Sequence, residues 1–507
     1  MTQENSMTSL ERFYPLLLVI IVLASLAFAW VGWLDSDDKR HVIAGLGWYE
    51  QFPYVGPLHP SLRHPIVIPL GMSFRLFGVN ETSLILPNLL YYVGLLVVTY
   101  VLLARFANRH IAFIAVALIT TLPIFVIQGT VVFSDITEAF FVALSLWLFM
   151  EATRAERPLF WLLGAGAAAA LGWFTRETVA ALILLYGVLF LAGYRLPRTR
   201  YWIMAGGFLP LLVLEALAMW AMTGNPIYRY TTMLYSRENF TKKGEVAGEI
   251  FDRVGNVTVH PVVDPILTLF VNHEFALLFY FAVPLAIWCW RSKALPASER
   301  ELARILAALA VLWFLLVAIG MVNLHPRYFT VSAYAAAIIV AIWLYHMLTA
   351  NRRVLAAIAA MVLFGTSLTA IYLDNRNPLF GERSLRAYLE ANMDARVRTD
   401  PVTARRAEFL LTIDGREDRV AEGLPQPGDL YFYNPNRVAE IRRRKLDPKE
   451  YEPDPSWQVV WKAVEDRRLA GILVERLGLN EYLDQGLLRR LNEPNRPVAV
   501  YRVPGNP

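Results

Sequence analysis

The sequence predicts an α-helical polytopic membrane protein, with about eleven transmembrane helices and a small C-terminal α/β domain. Three observations lead there. Of the 507 residues, 56% are hydrophobic and 18% charged, whereas a soluble chain is roughly half apolar and a quarter charged. The excess is uneven: up to about Ile371 apolar runs follow one another, and after Asp374 the composition is that of soluble protein. The basic residues also fall in alternate connections, as they do when one side of a membrane is the cytoplasm.

The first apolar run, Phe13 to Trp33, is long for a signal-peptide core and has no small-residue cleavage site before Asp35, so it reads as a retained first transmembrane helix. Further runs of spanning length cover 84–104, 111–128, 133–150, 159–175, 178–194, 202–222, 266–290, 303–322, 329–347 and 354–373. Arg12, Arg105, Arg109, Arg154, Arg157, Arg195, Arg198, Arg200, Arg291, Lys293, Arg300, Arg352 and Arg353 then share one side. That side is the cytoplasm, which places the N-terminus inside and residues 375–507 outside. The stretch from His64 to Gly78 is short and broken by Pro65, Pro69 and Arg75. It is expected as an interfacial or re-entrant helix rather than a span. The domains expected are therefore 1–374, with long outer loops over 35–83 and 223–265, and 375–507. The net charge of +5 is a topology signal, and no nucleic-acid partner is expected. The one cysteine, Cys289, excludes an intramolecular disulfide.

The chemically dense residues lie on the outer side. Asp37 and Asp38 follow the first helix. They read either as a solvated helix end or as a general base whose pKa is raised by a neighbouring carboxylate. Asp135 and Glu138 are spaced i, i+3 at the outer start of the fourth run, so they share a helix face; Asp135 also suits a helix N-terminus. Arg176 sits in a short outer turn against the charge bias, which calls for an anion: Glu177, or a bound phosphate gripped by the planar guanidinium. His325, Arg327 and Tyr328 open the tenth run, where headgroup contact is the competing reading. The loop over 223–265 carries Arg229, Tyr230, Tyr235, Arg237, Glu238, Lys242, Lys243 and His260. His260, His273, Asp135 and Asp264 match no metal motif, so no cofactor is expected, although a divalent metal stays open. Glu215 is the main acid deep in a predicted span. Carboxylates and several cations at one face suit transfer of a group from a lipid-phosphate donor.

These residues resemble the pattern of GT-C glycosyltransferases of the family 39 type, a group that includes protein O-mannosyltransferases and the bacterial aminoarabinose transferases that modify lipid A. The resemblance covers residues 13 to about 350. It runs through Asp37-Asp38 (the family usually has Asp-Glu), Leu62-Arg63-His64-Pro65-Ile66 before Phe77-Gly78, and Ser134-Asp135. It continues through Gly172 to Glu177 (one spacer residue short of the usual turn), Gly224 to Tyr228, and His325 to Tyr328. The resemblance implies a polyprenyl-phosphate sugar donor, a lipid, glycan or protein acceptor, inversion at the anomeric carbon, and a bacterial inner membrane. It implies Asp37 as the base or its closest partner, with Asp38 paired to it and Asp135 in support. Arg63, His64, Glu138, Arg176, Arg237, His325, Arg327 and Tyr328 are the implied substrate-binding residues; the loop with Arg237 matches least.

In 375–507, strand-like runs cover 429–433, 457–461, 471–475 and 498–503, and helical patterns lie near 383–393, 401–412, 435–445 and 478–491. The run Arg442 to Lys445 reads as a solvated helix end, with contact to lipid headgroups or an anionic acceptor as the alternative. Two other functions compete for the whole chain: a transporter or flippase of a lipid-linked anion, and a non-catalytic scaffold.

Overall fold

A computed structural model describes residues 11–235, 263–320, 325–373, 377–466, 469–492 and 495–505. Two compact units emerge: Met1–Gly32 with Ser36–Ile371, and Trp33–Asp35 with Tyr372–Pro507.

The first unit is helical. Its opening helices are α1 (Tyr14–Ala29), α2 (Asp38–Glu50), α3 (His64–Phe77), α4 (Glu81–Phe106) and α5 (Arg109–Thr121). They continue with α6 (Pro123–Gly129), α7 (Ser134–Ala152), α8 (Leu159–Thr175), α9 (Ala180–Ala192) and α10 (Arg198–Thr223). Among the described residues, six helices are long and apolar enough to cross a membrane: Glu11–Ala29, Glu81–Phe106, Arg198–Thr223, Ala297–Ile319, Pro326–Thr349 and Arg353–Leu373. Shorter apolar helices cover Leu159–Thr175, Glu177–Ala192 and Leu278–Arg291.

Two expected spans are broken. The run over 111–128 bends by 69° between α5 and α6. Pro123 has no N–H for the helix ladder and disfavours helical backbone at the residue before it, so Leu122 is extended. The run over 266–290 is two helices, Val263–Val271 and Leu278–Arg291, separated by a short turn and by Ala276 at φ 49°.

Between 64 and 78 the chain forms α3, a helix of 14 residues, well below the roughly 20 that crossing needs. It packs on α2 around Ala44, Trp48 and Val67. Gly71 permits that closeness: a Cβ there would fall 2.5 Å from the Cβ of Trp48. The α8–α10 contact is closer still. A Cβ on Gly166 would lie 1.9 Å from the carbonyl oxygen of Met204, and one on Gly207 would lie 2.0 Å from that of Leu163. Small residues let these two backbones touch, the usual packing device where lipid removes the hydrophobic drive between helices.

The second unit is a five-stranded mixed sheet in the order β2-β1-β3-β5-β4, with β1 Val397–Thr399, β2 Val420–Glu422, β3 Leu430–Tyr433, β4 Gln458–Ala463 and β5 Val498–Arg502. The first three are parallel, and β5 runs antiparallel to both β3 and β4. Its core joins Leu385, Leu389, Val397, Leu411, Phe432 and Val500. One expectation fails: 471–475 is not a strand but lies in the helix Leu469–Arg476. A five-residue apolar run cannot distinguish the two states by periodicity. Arg442, Arg443, Arg444 and Lys445 are all exposed at the end of the helix Val438–Arg443.

Candidate active site

Asp37 and Asp38 stand at the start of α2 and are opposite in character. Asp38 is wholly buried, and its Oδ1 accepts the Ser36 backbone N–H at 2.6 Å. Asp37, one residue earlier, keeps a side chain 51% exposed. Successive side chains at a helix start point about 100° apart, so one carboxylate ties the turn and the other is presented. Arg327, from the turn Pro326–Phe329, donates Nη2 to Asp37 Oδ2. Burial pushes the Asp37 carboxyl up, but the Arg327 charge and hydrogen bond, aided by Arg40, outweigh it and leave it below the ordinary aspartate value. This corrects the sequence expectation of a raised carboxyl, because the neighbour that matters is a cation. The Arg327 guanidinium also lies over the Phe133 ring, 4.6 Å from its centroid.

Asp135 and Glu138 project from the first turns of α7 on one face and are 1% and 2% exposed. Arg176 caps the end of α8 in extended backbone (φ −164°, ψ 141°) and donates Nη1 to Asp135 Oδ1 at 2.5 Å. The same nitrogen lies 3.8 Å from Glu138, whose other oxygen accepts the Thr178 hydroxyl. The anion that compensates Arg176 is thus Asp135 with Glu138, not Glu177. The Tyr328 ring sits beneath Arg176, 3.9 Å from the guanidinium carbon, and lies 5.7 Å from that of Arg327. Tyr328 therefore joins the two ion pairs.

Arg63 precedes α3 and donates Nη1 to the Ser134 hydroxyl at 2.9 Å. Its buried Nε has no hydrogen-bond partner among the described residues, and the same is true of the Arg327 Nε. Burial first, and then the like charge of Arg176, push the Arg63 guanidinium below its ordinary pKa. His41 on α2 is 3% exposed; its Nδ1 lies 3.2 Å from the Pro60 carbonyl, which can only accept, so that nitrogen carries the proton. Burial and Arg63 drive its pKa to about 3, so His41 is neutral at any physiological pH.

His64 lies 3.4 Å from Glu215, a contact to a buried carboxylate on α10. His325 is exposed, edge-on to Tyr328 at 5.6 Å. Arg237 falls outside the described residues. Sequence reasoning noted Arg229 without giving it a role; it is 1% exposed and ion-paired with both Glu177 and Glu215. The signal for it was Glu215, since an acid deep in a span needs a cation. Among the described residues, no group of three or more His, Cys, Asp or Glu could hold a metal ion.

A family model described as dolichyl-phosphate-mannose-protein mannosyltransferase matches residues 63–220, the stretch with Arg63, His64, Asp135, Glu138 and Arg176. No curated protein sequence matches the chain significantly. Among solved structures, the chain is similar to ArnT from Cupriavidus metallidurans bound to undecaprenyl phosphate, at 11% identity and a TM-score of 0.54 over 98% of both chains. The same protein in the apo state matches at 12% identity and 0.53, over 97% of this chain and 98% of that one. An oligosaccharyltransferase from Archaeoglobus fulgidus, complexed with Zn and sulfate, matches at 14% identity and 0.48, over 80% of this chain and 61% of the other. At these identities the structural likeness establishes the fold, which is that of ArnT. The family match is thus confined to residues 63–220, while the fold match spans nearly the whole chain.

Proposed function

We propose that the chain transfers a sugar from a polyprenyl-phosphate donor to an acceptor hydroxyl on a lipid, glycan or protein, with inversion, at the outer face of a bacterial inner membrane. In this reading residues 1–374 form the catalytic membrane domain, with the N-terminus in the cytoplasm, and 375–507 an extracytoplasmic domain. Asp37 accepts the proton of the acceptor hydroxyl as its oxygen bonds to the anomeric carbon. The bond from that carbon to the phosphate oxygen breaks, and the phosphate leaves with the electron pair. Cations held where that charge develops lower the barrier. Arg63 and Arg327 are first in that role, with Arg176, His64, His325, Tyr328 and Arg237 as further contacts. Asp38 fixes the α2 start, while Asp135 and Glu138 hold Arg176 in place.

One observation carries the reading: a half-exposed carboxylate is paired to an arginine that, like nearby Arg63, keeps a buried N–H with no partner among the described residues. Buried donors are nearly always satisfied, and a phosphate would satisfy these. The undecaprenyl phosphate bound by ArnT, which has the same fold, supports the choice of ligand.

The test is mass spectrometry of lipid extracts and envelope glycans from cells lacking the protein, complemented cells, and cells carrying Asp37→Asn. A sugar that disappears in the deletion and in the variant, while its polyprenyl-phosphate donor persists, supports the enzyme and names the acceptor. Full restoration by Asp37→Asn removes Asp37 from the mechanism and favours a transporter of a lipid-linked anion.

A further inference from the structure

Every N–H of the Arg229 side chain is directed at an acceptor. Nη1 donates to the carbonyls of Phe174 at 2.8 Å and Leu62 at 3.3 Å, and also to Glu215 at 3.3 Å. Nη2 donates to the Trp173 carbonyl at 2.9 Å and to Glu177 at 2.8 Å, while Nε reaches the same Glu177 oxygen at 3.3 Å. Arg229 therefore has no donor left for a ligand, unlike Arg63. Its carbonyl partners are not scattered: Leu62 immediately precedes Arg63, and Trp173 and Phe174 immediately precede the turn that bears Arg176.

The two glutamates extend the clamp. Glu177 also takes the His59 Nε2–H at 3.0 Å, and Glu215 faces His64 at 3.4 Å. His59 and His64 are the two ends of the short segment that presents Arg63. One guanidinium thus grips that segment at both ends through carboxylates and in the middle through a carbonyl, and grips the Arg176 turn through two more carbonyls.

We infer that Arg229 is a positioning residue that sets the spacing between the Arg63 segment and the Arg176 turn, and so the shape of the cationic seat for the donor phosphate. The inference rests on the donor reading above. Lysine cannot replace it, because an ammonium offers three donors from one point and no planar fork.

The experiment measures binding of undecaprenyl phosphate to the purified full chain in nanodiscs, together with separate KM values for donor and acceptor. The comparison covers the wild type, Arg229→Lys and Glu177→Gln, with the folded fraction of each determined independently. Losing one hydrogen bond to a charged group weakens binding roughly tenfold to a hundredfold, and folded Arg229→Lys is expected to bind undecaprenyl phosphate more weakly by about that factor. Its donor KM rises in step and its acceptor KM is unchanged. Glu177→Gln keeps the side-chain shape, shifts donor affinity in the same direction by less, and carries the test if Arg229→Lys does not fold. Wild-type affinity in the folded fraction of Arg229→Lys, or failing that of Glu177→Gln, overturns the inference, even if less protein folds. A wild-type chain that does not bind undecaprenyl phosphate at all refutes the donor reading instead.

Discussion

Asp37 and Asp135 each pair with an arginine that lies against the Tyr328 ring, but the two pairs differ in burial. The side chains of Asp37 and Arg327 are 51% and 18% exposed, whereas those of Asp135 and Arg176 are 2% and 7% exposed. Arg176 also faces a second buried carboxylate, whereas Arg327 also lies over the Phe133 ring. A buried pair breaks at high cost when one partner is removed, because the other is left charged and dry. A carboxylate already half in water loses its arginine cheaply and can exchange partners. The difference separates a carboxylate that can meet a substrate from one that holds a cation still.

The largest effect expected is on turnover. Asp37→Asn lowers glycosyl transfer by about 10²–10⁴-fold, the usual contribution of a general base, while undecaprenyl phosphate still binds; a smaller loss in kcat than tenfold would erase the contrast with Asp135. Next is stability. Arg176→Gln strands Asp135 and Glu138 and costs about 3–5 kcal/mol, read as a fall in the thermal midpoint in detergent, whereas Arg327→Gln leaves the midpoint nearly unchanged. Arg327→Gln acts on pH dependence instead. Arg327 holds the Asp37 carboxyl below its ordinary value, so its loss lets that pKa rise, and the acid limb of the rate profile moves to higher pH. An unmoved limb would mean that another group titrates. The smallest effect calibrates the others: Arg195 pairs with Glu301 at 2.6 Å with its side chain 56% exposed, and Arg195→Gln costs no more than about 1 kcal/mol.

How much of this was legible in the sequence depended on the range of the interactions. Helices announced themselves because their signal is local: runs of about 20 apolar residues need no partner to be recognised. The i, i+3 spacing of Asp135 and Glu138 was local too, and it survives as a shared face. Asp37 was preferred over Asp38 only through the family resemblance, since which of them turns inward is settled by the Ser36 N–H and the packing of α2. Asp135 and Glu138 were not among the partners weighed for Arg176, which were Glu177 and a bound phosphate, because the fold alone brings α7 to the end of α8. Arg229 was noted but given no role for the same reason: it shares its connection with seven other noted polar residues, and its acceptors come from segments up to 167 positions away. In the second unit, β1 and β2 are three residues each, too short to show alternation.

The glycine crossing of α8 and α10 has a consequence for tolerance to change. Most lipid-facing positions of these helices can exchange one apolar group for another, because lipid fills whatever shape results. Gly166 and Gly207 cannot, since the obstacle each would meet is a backbone carbonyl that no rotamer change moves aside. One added methyl would force the two helices apart and draw Glu215, far along α10, away from the turn that ends α8. The placement of the Arg229 clamp is thus calibrated at a helix crossing remote from it in sequence, by atoms that two residues do not have.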